Sequence, residues 1–265
     1  MKIDNVIMSV NDNKNYQWFW PIVSEIWYLL NKIHPVLYWV TETSEQTEFP
    51  YPSKYGEIRR VRPLRNDPHL SCLLVRLTGA IEIPGINIIS DIDLFPVSRS
   101  FFVDQIKDIS NNTLVHLSSE LDYVAKYGKL PMAFYVARNT IFRKLLTLNS
   151  DRETMLWNED FIDDFIAVTG NLDTYSKMND EAYMFKKFIV YGHHQLPVHV
   201  VPRWGRRAWD LGYLERGDFT KWSSFIDMHF SPWRMAEKLQ SDGTDLFKQT
   251  QQLYEIIKKG LNEDR

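Results

Sequence analysis

Residues 86–96 read INIISDIDLFP, and two carboxylates, Asp91 and Asp93, follow directly on a run of aliphatic residues. If residues 86–95 form one buried strand, positions i and i+2 point to the same side. Both carboxylates then converge on one point while Ile92 faces away. Two carboxylates that close repel, and each becomes harder to ionise unless a cation lies near them. A divalent metal removes that cost. Oxygen ligands suit Mg²⁺ or Mn²⁺, which bind through a few carboxylates and complete their shell with phosphate oxygens and water. The bland alternative is a solvated turn whose aspartates cap a helix or pair with a cation. The apolar strand before the pair and the apolar Leu94-Phe95-Pro96 after it favour the metal.

Several metal-phosphate chemistries use such a pair, and missing motifs argue against three of them. A P-loop nucleotidase needs G-x-x-x-x-G-K-[ST] upstream, yet the first glycine is Gly56 and no such loop occurs. A sugar-phosphate nucleotidylyltransferase would carry a glycine-rich phosphate loop after its first strand, where this chain has SVNDNKN. An aspartyl-nucleophile phosphatase places its D-x-D on the first strand, followed by a small or hydroxyl residue, whereas DIDLF comes late.

The elements that must position the aspartates alternate strand and helix patterns over the first hundred residues, the signature of a mostly parallel α/β sheet. NVIMSV reads as the first strand. YQWFWPIVSEIWYLLNKI reads as a helix with Asn15 as its cap and Pro21 limiting where it starts, and PVLYWVTE and GEIRRVRPL read as strands. DPHLSCLLVRLTGAI reads as a helix with Asp67 as N-cap and Pro68 at its first position. The order is β-α-β-β-α-β, closed by the aspartate-bearing strand. Beyond it NTLVHLSS, PMAFYVAR and PVHVVPRW read as strands. NTIFRKLLTL, NEDFIDDFIAVT and NDEAYMFKKFIVYG read as helices, and the chain finishes in an amphipathic helix. The organisation is a single unit over 1–265, with no repeat or linker.

Composition narrows the chemistry. A net charge of −3 over 265 residues gives no basic footprint for nucleic acid. The one cysteine, Cys72, excludes an internal disulfide and a cysteine-rich metal cluster, and its apolar context makes it a small buried hydrophobe. No run of apolar residues is long enough for a membrane span, and the start shows no signal-type core, so a soluble, cytoplasmic protein is expected. The nine tryptophans fit either core packing or sugar-stacking platforms.

On these residues the chain resembles the nucleotide-sugar-dependent glycosyltransferases of the GT-A fold, whose D-x-D motif follows a nucleotide-binding α/β half much as ISDIDLFP does here. The resemblance implies a mixed, mostly parallel central sheet flanked by helices. Residues 1–100 would form the nucleotide-sugar half, 101–240 the acceptor half and 241–265 a terminal helix. It implies Mn²⁺ or Mg²⁺ on Asp91 and Asp93, bridging the diphosphate of a UDP- or GDP-sugar, with Ile92 between them at the donor. FIDMHFSPWR is similar to the H-F-x-G-x-x-K-P-W signature of some members, although the glycine and lysine are missing and the spacing is shorter. Carried over, His229 becomes the third metal ligand, with His199 as its rival, and Arg234 and Trp233 lie near the phosphates. Ser9, Val10, Asn11 and Asp12, at the end of the first strand, become base and ribose contacts, unless they only form a helix-capping turn. Arg76, a cation in the apolar stretch CLLVRLTGAI, becomes a donor contact and needs a partner if buried.

Transfer to a carbohydrate or glycoprotein glycan acceptor requires a hydroxyl to lose its proton as it attacks the anomeric carbon. NDEAYM is similar to the acidic helix start of inverting members, which makes Asp180 or Glu181 the candidate base. The same acidic pair also suits a plain helix N-terminus. Glu159, Asp160, Asp163 and Asp164 are spaced as a solvated helix face, and Arg203, Arg206 and Arg207 face either phosphate or solvent. The H-F-x-G-x-x-K-P-W likeness leans toward retention and NDEAYM toward inversion; inversion is preferred. A noncatalytic carbohydrate-binding protein on the same sheet is the alternative of a different class.

Overall fold

Val6, Met8 and Val10 face one side of the first strand and Ile7 the other, and all four are buried. A period of two with both faces covered makes residues 5–10 a central strand. The computed structural model describes residues 1–42, 47–119, 130–146, 159–169, 179–187, 197–202, 225, 227–230, 248, 251–252 and 254–259. Strand β1 (Asn5–Val10) pairs in parallel with β2 (His34–Val40) on one side and with β4 (Ile86–Ile89) on the other. Outside β2 lies β3 (Glu57–Val61), also parallel. Beyond β4, β7 (Tyr135–Arg138) runs antiparallel to both β4 and β6 (Leu114–Ser119), and β8 (Val198–Pro202) runs parallel to β6. The sheet order is β3-β2-β1-β4-β7-β6-β8, a mixed and mostly parallel sheet as the sequence implies.

Helices cover both faces. After the short α1 (Lys14–Gln17), α2 (Trp20–Leu29) presses Trp20, Val23, Ile26 and Trp27 onto the face that carries Met8, Leu37 and Trp39. On the opposite face α3 (Pro68–Glu82) lays Leu74, Val75, Leu77 and Ile81 against Ile7, Val36 and Tyr38. Asp67 caps α3 by accepting the Leu70 N–H at 2.9 Å, and Pro68 occupies the first turn, both as expected. Close approach of α3 to β2 needs Gly79: a Cβ there would lie 2.4 Å from Cε2 of the buried Tyr38. After α4 (Arg99–Phe102), helices α5 (Asn139–Leu145), α6 (Glu159–Thr169) and α7 (Asn179–Phe185) add Phe142, Phe161, Phe165 and Tyr183 to the α3 side. The tryptophans described here serve the core, since Trp20, Trp27 and Trp39 are buried and Trp18 stacks on Phe19 at 3.9 Å.

Two expectations are corrected. The cap before α1 is Asn13, whose side chain accepts the Asn15 N–H at 3.0 Å; Asn15 is the residue being capped. The strand expected over 86–95 ends at Ile89. The Ser90 N–H still reaches Ile7 O at 3.0 Å, but the chain then turns, and the Leu94 N–H meets Asp91 O at 3.4 Å. Leu94 and Phe95 form a separate strand, β5, antiparallel to β9 (Met228–His229). An aromatic cluster draws them out of the main sheet: Phe95 lies 4.6 Å from Phe230 and 5.9 Å from Phe19, centroid to centroid. Burying three such rings together outweighs two more ladder bonds.

Candidate active site

The chain runs outward from β1 through β2 to β3, and α3 then carries it back to β4 on the other side of β1. Two neighbouring parallel strands whose connections leave in opposite directions open a crevice at their carboxyl ends, the usual ligand site of open α/β sheets. Residues 9–12 lead from the last two positions of β1 into this crevice and residues 90–93 follow β4. Asp91 and Asp93 therefore lie just beyond the carboxyl end of β4, on a tight turn rather than the extended strand expected, so the same-side argument for i and i+2 does not apply to them.

Pairing of β5 with β9 brings in the third group. Leu94 is opposite His229, and the Phe230 N–H donates to Asp93 O at 2.8 Å, so His229 is fixed beside the turn. Its Nε2 lies 3.3 Å from Asp93 Oδ2, with side chains 20% and 9% exposed. Burial works against protonating this imidazole, but Asp93 beside it, with lesser help from Asp91 and Asp227, outweighs burial and raises its pKa above the usual histidine value. His199, the rival ligand, is exposed on β8. Three strand spacings separate β8 from β4, about 14 Å across the sheet, so it is removed from the pair.

Asp91 turns the other way. Arg76 on α3 is 7% exposed and gives Nη1 to Asp91 and Nη2 to Asp180 at the start of α7. Burial disfavours the charged guanidinium, yet the two carboxylates more than compensate and its pKa rises. Asp180 is 2% exposed; one oxygen is taken by Arg76, and the other accepts the Glu181 N–H at 3.0 Å. Both Asp180 oxygens are thus engaged within the protein, by Arg76 and by the backbone of the next residue. Glu181 is half-buried beside it.

At the end of β1 the candidate base and ribose contacts are engaged within the protein. Ser9 Oγ donates to Cys72 O at 2.7 Å and Val10 is buried. Asn11 Oδ1 accepts the Asn13 N–H at 3.0 Å, the capping turn weighed as the alternative. Asp12 accepts from Trp39 Nε1 and Thr41 Oγ1, both at 2.8 Å, which ties the ends of β1 and β2 together. Ile92 is buried. Trp233, Arg234, Arg203, Arg206 and Arg207 lie outside the described residues. On α6, Asp163 is exposed as expected, whereas Asp164 accepts the Tyr183 hydroxyl at 2.6 Å and pairs with the buried Lys187 at 2.7 Å.

Two neighbours escaped the sequence reading. Tyr16 on α1 is half-buried, and burial, then Asp93 and Asp91, raise its phenol pKa, which puts its hydroxyl in the field of both aspartates. Asp227 is fully buried two residues before His229. Its i−2 spacing from the histidine was the available signal; Tyr16 had none.

Among the described residues no three His, Cys, Asp or Glu side chains are gathered as a metal cluster. Asp93 and His229 are in contact, and Asp91 is held by Arg76. Two carboxylates and an imidazole are chemically suited to a divalent cation.

No family model matches the chain, and no curated protein matches it. Solved structures do. A structure of an active-site mutant of LgtC aligns with a TM-score of 0.47 at 10% identity, covering 86% of this chain and 89% of that one. The glycosyltransferase GlyE of Streptococcus pneumoniae aligns with a TM-score of 0.49 at 13% identity, covering 98% of this chain and 64% of that one. LgtC in complex with donor and acceptor sugar analogues aligns with a TM-score of 0.44 at 13% identity.

Proposed function

We propose that this protein is a divalent-cation-dependent glycosyltransferase that moves a sugar from a nucleoside diphosphate donor, a UDP- or GDP-sugar, to a carbohydrate or glycan acceptor. The observation that carries the reading is the Asp93–His229 contact at the crevice between β1 and β4, with Asp91 on the same turn. Acidic and imidazole ligands on a turn at a topological switch point suit a diphosphate brought in with its cation. Asp91, Asp93 and His229 would hold Mn²⁺ or Mg²⁺, and a bound cation supplies neutralisation of the departing diphosphate.

The chain's own groups provide the rest. Asp12 fixes Trp39 and Thr41 and so shapes the end of β1 where the base and ribose would lie, with Ser9, Val10 and Asn11 forming the adjacent backbone. Arg76 adds positive charge behind Asp91. For an inverting reaction Glu181, next to the Arg76-bound Asp180 at the start of α7, would receive the acceptor's proton. Among the described residues no helix is long and apolar enough to cross a membrane.

The test is a thermal-shift panel of nucleoside diphosphates and nucleotide sugars with and without Mn²⁺. A ligand that binds only the folded state raises the melting temperature with its saturation. The expected result is stabilisation by one base, dependent on Mn²⁺, and donor hydrolysis that Asp93→Asn abolishes while the circular dichroism spectrum is unchanged. Stabilisation without nucleoside preference, or unchanged hydrolysis in Asp93→Asn, overturns the reading.

A further inference from the structure

Arg76 is buried and divides its guanidinium between Asp91 and Asp180, and these partners are unequal. The Asp91 side chain is 30% exposed, on a turn beyond the end of a strand. The Asp180 side chain is 2% exposed and accepts the N–H of the next residue. The segment that carries it is itself pinned, because Tyr183 of α7 and Lys187 just beyond the helix both hold Asp164 of α6. One carboxylate is anchored and the other can leave.

A buried guanidinium with a single partner resists losing it, since breaking the pair strands a charge out of water. With a second, immobile carboxylate the charge stays compensated when the first departs. We propose that Asp180 is a positioning residue that keeps Arg76 neutralised, so that Asp91 can pass from the guanidinium to a divalent cation held with Asp93 and His229. This rests on the metal reading above and gives Asp180 a role in place of general base. It also accounts for Asp91 facing Arg76 while Asp93 faces His229. The hand-over of Asp91 completes the set.

The roles open to Asp180 separate by measurement. A base affects turnover and leaves cation affinity alone, and a merely structural residue affects stability alone. Mn²⁺ by itself is titrated into the purified full chain, with free Mn²⁺ read by electron paramagnetic resonance. Asp180→Asn leaves Asp91 as the guanidinium's sole partner. It is expected to weaken Mn²⁺ binding about 10- to 100-fold, the usual cost of losing an outer-shell partner. Adding Arg76→Met removes the retaining charge and is expected to bring affinity back toward wild type. Wild-type affinity in Asp180→Asn, or a double variant no tighter than the single, overturns the proposal. If Asp180→Asn does not fold, the double variant carries the test, since replacing a buried ion pair as a unit is often tolerated. Affinity at least equal to wild type then supports the hand-over, and weaker affinity overturns it. Asp93→Asn separates the two levels: unchanged Mn²⁺ affinity there removes the metal site itself, whereas lost affinity there with none lost in Asp180→Asn removes only the hand-over.

Discussion

Replacing Gly79 with alanine tests whether α3 is seated on β2 closely enough to govern Arg76. The new Cβ would lie 2.4 Å from Tyr38 Cε2 and 2.9 Å from Cζ. Carbon atoms prefer about 3.5–4.0 Å, so more than an ångström must be found. The ring cannot yield easily, because Tyr38 is fully buried and its hydroxyl donates to Glu82 Oε2 at 2.8 Å. Overpacking of this kind costs about 1–3 kcal/mol. Straining a hydrogen bond to a charged group adds up to about 1.5–3 kcal/mol. Alanine's better helix propensity returns about 0.5–1 kcal/mol. A net loss of about 2 kcal/mol corresponds, at the usual unfolding entropy per residue for a chain of this length, to a fall in Tm of about 4 °C. Arg76 lies one turn earlier on the same helix, so lifting α3 also moves the guanidinium, and Mn²⁺ affinity should fall along with Tm. Urea denaturation gives the first quantity and Mn²⁺ titration the second. Gly79→Ala with unchanged or greater stability would refute the packing argument. Gly79→Ala with lower Tm but wild-type Mn²⁺ binding would refute the link from α3 to the site.

Asp67→Ala removes the N-cap of α3 and should cost about 1 kcal/mol in urea denaturation. Phe230→Ala takes a ring from the cluster that holds β5 to β9; it should cost about 3–5 kcal/mol and weaken Mn²⁺ binding, measured in the same titrations. The His229 pKa is raised in the folded chain, so without metal the Asp93–His229 pair contributes its full stability below the ordinary histidine value, near pH 6.5, and loses it as pH rises through the higher folded value. Cation binding runs the opposite way, because a proton on His229 competes with the metal. Melting curves and Mn²⁺ titrations across this range should show the two trends, and both should vanish in His229→Gln.

Much of this arrangement was legible because it depends on local pattern. Alternating apolar positions gave the strands, Asp67-Pro68 gave the start of α3, and an aspartate pair after an aliphatic run gave the crevice. The demand that a buried Arg76 have a partner was legible too, but not which partner, because residue 180 reaches it only through tertiary packing. The strand over 86–95 was read too long for a similar reason. Its apolar residues are continuous, yet Leu94 and Phe95 belong to a cluster with Phe19 and Phe230 that no local window contains. Asn11, Asp12 and Asp180 have the types expected of ligand contacts, and each also accepts a hydrogen bond within the fold, from the Asn13 N–H, from Trp39 and Thr41, and from Arg76, partners that, Asn13 apart, only tertiary structure reveals.

The pairing of Leu94 with His229 also sets a clock on the ribosome. At about 5–20 residues per second, roughly 7–30 s pass between synthesis of the aspartate turn and arrival of the histidine. Closing a loop of that length costs about 4 kcal/mol in chain entropy by the logarithmic rule. For that interval the nascent chain carries Asp91, Asp93 and Arg76 without His229, so under the proposed metal reading a cation met early finds only part of its ligands. Full cation affinity should therefore appear as one of the last events of folding, later than the helix signal of the first half.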